Sequence, residues 1–292
     1  LTAPETLRWE IDGVPRRFWY SGRLEHLHTL PQPWTLEDDF RRVLAWRKLG
    51  VDDILDVSVP WSRDPEVTWT DSVVPTGKMD AEYPVMIRDY QTPSGPARHA
   101  VRKTGEDPGA GWVIQPDCVP LIEDYNIPRG VRHIVNGAAD LAPLQHLYVK
   151  PDGAAIAQFK TRMQKVKAFA DQEGVPVQAW AGFGMDAVVW FCGTEGAVML
   201  AMDDPAAFGK LIDLITECDR ARDELAAGTP GVDLVCERGW YSSTDFWSPG
   251  LFDQFLFPHI QTLARTAHQH GKLFGYVMTT GVEVLGPRLA EA

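Results

Sequence analysis

The chain has 292 residues, with 28 Lys+Arg against 40 Asp+Glu for a formal charge of −12, and 45% of its residues are hydrophobic. That composition predicts a folded globular chain, because enough apolar surface is available to offset chain entropy. The acidic balance argues against a nucleic-acid partner, which needs clustered Lys and Arg. No apolar run reaches the roughly 20 residues that span a bilayer, so no membrane association is expected.

Taken in chain order, Thr35 and Asp38 can cap a helix carrying Phe40, Val43 and Leu44, and Gly50 ends it before a strand over 54–59. Residues 60–110 are rich in turn formers, including Pro93-Ser94-Gly95-Pro96 and Asp107-Pro108-Gly109, yet aromatic and β-branched residues continue through them. They predict short antiparallel strands or an inserted excursion within one domain. Residues 154–173 set Phe159, Met163, Val166 and Phe169 at helical spacing, with Gly174 as the stop, and a strand follows over 175–181. Asp204-Pro205 opens a helix through Leu211, Leu214, Ile215 and Cys218, followed by a strand over 232–236. Ser248-Pro249 caps another helix, with Phe252, Phe255, Leu256 and Leu263 on its apolar face, and a strand over 273–278 comes after Gly271.

Repeated helix–glycine–strand units predict a parallel sheet, since each helix supplies the crossover that parallel strands need. An open doubly wound sheet and a closed barrel both fit that pattern. No GxGxxG or Walker motif follows a strand, which favours an α/β (β/α)8 TIM barrel built as one domain over 1–292.

Functional groups in such a fold gather where strands end. The segment Glu237-Arg238-Gly239-Trp240-Tyr241 through Asp245-Phe246-Trp247 combines aromatic walls with polar anchors, as a cleft for a flat organic ligand requires. Trp240 and Trp247 could instead simply cover the end of the barrel. The glycines flanking Phe183 would let a ligand approach the backbone beyond the strand that carries Gln178, and Asp56 is a candidate inward-facing carboxylate. The pairs His26/His28 and His268/His270 lack a third metal ligand, and Cys118, Cys192, Cys218 and Cys236 are too widely spaced for a zinc site. With no CxxC pair, the cysteines suggest a reducing, cytoplasmic setting.

The string Ser248-Pro249-Gly250-Leu251-Phe252-Asp253-Gln254-Phe255-Leu256-Phe257-Pro258-His259 resembles a helix of the uroporphyrinogen decarboxylase superfamily, and His268-Gln269-His270-Gly271-Lys272 follows at the spacing of that family. Ala139-Asp140-Leu141, Met202-Asp203-Asp204-Pro205-Ala206-Ala207-Phe208 and, more loosely, Leu49-Gly50-Val51-Asp52 extend the likeness. The resemblance implies a (β/α)8 barrel with further strand–helix units after Ala292, in one of two enzyme branches. The decarboxylases of tetrapyrrole (heme) biosynthesis carry an arginine motif, and Arg16-Arg17 is followed here by Phe18-Trp19-Tyr20 without the expected glycine. The corrinoid methyltransferases hold zinc through a His and a Cys, whose positions carry Met278 and Thr280, so bound zinc is not expected.

The leading expectation is a corrinoid-linked methyltransferase acting on a small methylated substrate. Glu237, Tyr241 and Asp245 are candidates to protonate the leaving group. Asp56, Gln178, Phe183, Arg238, Trp240, Trp247, Tyr276 and Met278 are the candidate substrate-binding residues. The alternatives are a porphyrinogen decarboxylase (a carboxy-lyase) and a non-catalytic tetrapyrrole- or corrinoid-binding barrel. Expected partners are the small substrate, a corrinoid protein and a second copy of the chain.

Overall fold

The structure, a computed structural model, describes residues 35–48, 50–104, 118–124 and 126–292. His26, His28, Arg16, Arg17 and the Asp107-Pro108-Gly109 turn lie outside the described residues.

Helix α1 (Leu36–Lys48) begins at the predicted capping box, where Asp38 N–H donates to Thr35 Oγ1 (3.3 Å) and Thr35 N–H donates to Asp38 Oδ2 (2.9 Å). Val43 turns into the core, whereas Leu44, about 100° further round the helix, is 40% exposed. Strands β1 (Leu55–Ser58), β2 (Thr68–Val74), β3 (Val85–Thr92), β4 (Gly95–Arg102) and β5 (Gly130–Arg132) follow. Helix α2 (Gly153–Glu173) is capped by the Asp152 carboxylate, which accepts from Ala155 N–H (2.8 Å), and it stops at Gly174, whose φ of 64° is left-handed. Strand β6 (Val177–Gly182) leads into α3 (Gly184–Cys192), α4 (Thr194–Asp203) and the long α5 (Pro205–Ala227), with Asp204 capping α5 through Ala207 N–H (3.0 Å). After β7 (Leu234–Arg238), Ser248 caps a short turn at Pro249–Leu251 that passes through a π-helical turn at Phe252–Leu256 into α6 (Phe257–Gln269). Strand β8 (Leu273–Val277) and α7 (Val282–Leu289) complete the described chain.

Among the described residues the strands form two separate sheets. One is parallel, in the order β1-β6-β7-β8, and the other is antiparallel, in the order β2-β3-β4-β5. The expected closed (β/α)8 TIM barrel is therefore corrected. Closure needs every strand hydrogen-bonded on both sides around one ring. Here β1 and β8 are the edges of an open four-stranded sheet, and the other four strands pair antiparallel among themselves. The barrel architecture implied by the uroporphyrinogen decarboxylase resemblance is overturned by the same topology. The helix–glycine–strand rhythm specifies parallel pairing but is silent on closure, since open and closed sheets use the same crossover.

Alternation along the parallel strands sorts their residues onto two faces. Leu55, Val57, Val177, Ala179 and Val235 join Phe159, Met163 and Val166 of α2 in one apolar cluster. Each such side chain contributes about 1.5–3 kcal/mol on full burial. Asp56, Ser58, Gln178 and Trp180 occupy the opposite, less buried face. Among the described residues no single helix is long and apolar enough to cross a membrane.

Candidate functional site

The polar face of the parallel sheet carries a cleft of about 370 Å³ lined by Arg42, Asp56, Ser58, Trp180, Phe183, Arg238 and Trp240. It runs from α1, beside the start of β1, to the end of β7 and the loop beyond it. Ligands of open α/β sheets bind in a crevice outside the carboxyl ends of the strands. Adjacent pairing of β1 with β6 sets Asp56 beside Gln178 and Ser58 beside Trp180.

Asp56 Oδ1 accepts from Gln178 Nε2 and from the indole Nε1 of Trp180 (3.0 Å). Both donors are neutral. The two guanidiniums of the lining are held differently. Arg42 Nη1 lies 2.5 Å from both oxygens of Asp53, and Arg42 Nη2 lies 3.5 Å from Asp39. Arg238 Nη2 donates to both oxygens of Asp124 (3.0 and 2.9 Å), and its Nε donates to Asp186 Oδ2 (3.1 Å). Its guanidinium lies over Trp240, 4.0 Å from the ring centroid, and 4.9 Å from that of Trp190. Burial pushes the Asp186 carboxyl up to about 7 against the pull of Arg238, and Asp186 Oδ1 accepts from Tyr241 N–H (3.0 Å).

Beneath the cleft, a buried network fixes the strand ends that carry it. Asp219 and Arg222 sit one turn apart on α5. Asp219 Oδ2 accepts from Phe183 N–H (2.9 Å) and Gly184 N–H (2.8 Å), the free donors at the start of α3. Its Oδ1 accepts from Tyr148 Oη (2.5 Å) and Arg222 Nη1 (3.1 Å). Arg222 Nη2 reaches Val59 O (3.0 Å) and Trp180 O (3.4 Å), and so ties the ends of β1 and β6 to α5. The guanidinium also stacks 4.0 Å above the Phe183 ring.

Glu237 points into this lower layer and does not line the cleft. Its Oε1 pairs with His259 Nε2 (2.9 Å), and His259 Nδ1 meets Thr216 Oγ1 (2.7 Å). Burial raises the Glu237 carboxyl against the opposing charge of His259. Burial would lower His259, but the charge and hydrogen bond of Glu237 hold it above its ordinary value. The glycines around Phe183, expected to admit a ligand, are filled by this pair. A Cβ on Gly184 would lie 2.1 Å from Glu237 Oε1, and one on Gly182 would lie 2.7 Å from Glu237 Cγ.

The structure thus brings Asp56, Phe183, Arg238 and Trp240 together in the cleft, with Gln178 holding Asp56. Tyr276 joins Glu237 and His259 around a small internal cavity. Tyr241 packs edge-on against Phe246, and burial lifts its phenol to about 12. Asp245 accepts from Thr280 Oγ1 (2.5 Å), pinning the loop after β8. Trp247 is buried beside Phe208, its indole donating to Tyr241 O (2.7 Å), and Met278 packs on the main core. Sequence reasoning missed Arg42, Ser58, Trp180, Asp124, Asp186 and the Asp219–Arg222–His259 network. Trp180 carried a signal, standing two residues after Gln178 in the same strand. So did Asp219 and Arg222, charges at helical spacing on the stripe of Ile215 and Cys218. Among the described residues no group of three or more His, Cys, Asp or Glu is arranged to hold a metal ion.

No protein-family model matches the chain, and no curated protein matches it. Among solved structures it has a distant likeness to a methyltransferase from Methanosarcina mazei, at 14% identity and a TM-score of 0.44, over 90% of this chain. The chain spans 63% of the length of that methyltransferase.

Proposed function

We propose that the protein is an enzyme that binds a small methylated molecule in the cleft on the parallel sheet and gives up its methyl group to a reduced corrinoid delivered by a partner protein. The observation that carries this reading is the cleft itself. It has indole walls from Trp180 and Trp240, a carboxylate at Asp56 and ordered guanidiniums at Arg42 and Arg238. Aromatic walls with a few fixed polar groups are what a small organic substrate requires. Asp56 is held in place by Gln178 and Trp180, and the Asp219–Arg222 tether keeps the strand ends in register, so substrate would meet a preformed surface. A corrinoid, when bound, would supply the nucleophile. The chain's own residues would bind and orient the methyl donor.

The direct experiment incubates the full chain with methylated amines and methyl ethers in the presence of reduced cobalamin, and follows methylcobalamin by its absorbance. Substrate-dependent formation of methylcobalamin is expected, and Asp56→Asn should lower its rate. No methylcobalamin with any donor would refute the proposal. One observation favours a second reading, a binding protein without chemistry. Glu237, an expected proton donor, is committed to His259 and does not line the cleft. Tight corrinoid binding that leaves the ligand unaltered would support that alternative.

A further inference from the structure

We propose that the cleft selects an organic cation, and that the substrate is a methylated ammonium compound; the substrate part rests on the methyl-transfer reading above. The charges set this preference. Arg42 is matched by Asp53 and Asp39, and Arg238 by Asp124 and Asp186, whereas among the described residues Asp56 is bonded by neutral donors. Each arginine of the lining is thus met by two carboxyl groups, and Asp56 adds a carboxylate that no guanidinium answers among the described residues. The chain's charge of −12 works in the same direction.

The walls narrow the class further. Trp180 donates its indole N–H to Asp56 Oδ1 at 3.0 Å, so the carboxylate and the aromatic ring stand side by side on the sheet face. A positive group held by Asp56 stands beside the indole, and the aromatic quadrupole favours it where it reaches over a ring face. Arg238 already occupies one face of Trp240 and Arg222 one face of Phe183, which shows that these rings accept cations. A primary ammonium needs three acceptors for its three N–H groups. The lining offers the two Asp56 oxygens and the Ser58 hydroxyl as acceptors, beside the rings of Trp180, Phe183 and Trp240 and the two paired arginines. A methylated ammonium has few or no N–H groups to satisfy, and it would present its methyl groups to the aromatic side chains of that lining.

The chemistry agrees with the placement of the acids. When a methyl group leaves a quaternary ammonium, the carbon–nitrogen bond breaks with its electron pair returning to nitrogen. The new bond to the methyl group uses an electron pair from the reduced corrinoid. The departing amine is neutral and takes up no proton, so no acid is needed at the leaving group. A methyl ether would need one, and Glu237 is turned away from the cleft.

The test uses the full chain and isothermal titration with choline and with 3,3-dimethylbutan-1-ol, its uncharged isostere. Choline should bind about tenfold or more tightly than the isostere, equivalent to about 1.4 kcal/mol, and its affinity should fall with added salt. Asp56→Asn, which can still accept from Gln178 and Trp180, should remove the difference between the two ligands. Equal affinities in the unaltered protein, or no choline binding at all, would overturn the proposal whatever the variant does. Selective choline binding without methylcobalamin formation would leave the cation site standing and remove the methyl-transfer reading. Methyl transfer from an ether with no preference for cations would do the reverse.

Discussion

Asp223 offers the most direct test of the buried electrostatics. It sits on α5 with 0% exposure, and neither carboxylate oxygen has a hydrogen-bond partner among the described residues. Burial, reinforced by Glu237 and Asp219, pushes its carboxyl up to about 8, against the pull of His259 and Arg222. The unfolded chain releases this proton near the ordinary value of 3.8, so between there and about 8 the folded state holds one proton more. Stability contributed at this position therefore falls as pH rises through that window and levels off above it. One pKa unit corresponds to about 1.4 kcal/mol, so raising the pH from about 5 to about 8 costs the native protein at most about 4 kcal/mol here. Asp223→Asn is uncharged throughout and escapes that cost. Urea unfolding of both proteins at the two pH values measures it together with its coupling to Glu237, Asp219 and His259, because titrating groups remote from Asp223 cancel in the difference. The variant should gain on the parent by several kcal/mol between pH 5 and pH 8. A stability difference that does not change with pH would refute the reasoning, whatever its absolute size.

Two further substitutions probe the layer beneath the cleft. Gly184→Ala puts a methyl 2.1 Å from Glu237 Oε1 and 3.0 Å from His259 Nε2, at a φ of +45°, and should cost about 3 kcal/mol in urea unfolding. A loss under about 0.5 kcal/mol would mean that the Glu237–His259 pair does not fill the turn. Tyr148→Phe removes the hydroxyl that donates to Asp219 (2.5 Å) and accepts from Arg222 (2.9 Å), leaving both buried ions less satisfied. It should cost about 2 kcal/mol by the same assay, and a neutral result would show that the network redistributes its bonds freely.

Much of the local structure was readable from residue order. The Thr35/Asp38 capping box, the Asp204 and Ser248 caps and the Gly174 stop all stand where side-chain chemistry places them, because a cap is decided within three or four residues. The parallel pairing of β1, β6, β7 and β8 was readable too, from the helices between strands. Closure was not, because it depends on whether the edge strands β1 and β8 find partners far away in the chain. Leu44 shows the limit within a single helix, where one position of rotation moves an apolar side chain from core to solvent.

The candidate site divides along the same line. Asp56 and Gln178 were legible as polar groups interrupting apolar strands, and Arg238 and Trp240 as groups just past a strand end. The direction of Glu237 was not, although it sits next to Arg238. Between Trp180 and Gly182 the β6–β7 register shifts, and the partner that draws Glu237 down, His259, lies 22 residues further along. Sequence by itself therefore determined the helices and strands of the repeated helix–glycine–strand units, since capping and periodicity act over a few residues, but it did not mark α3, α4 or α7. Only the tertiary structure decided that the sheet stays open among the described residues, and which acids face the cleft. Both depend on pairings and charges brought together from distant parts of the chain.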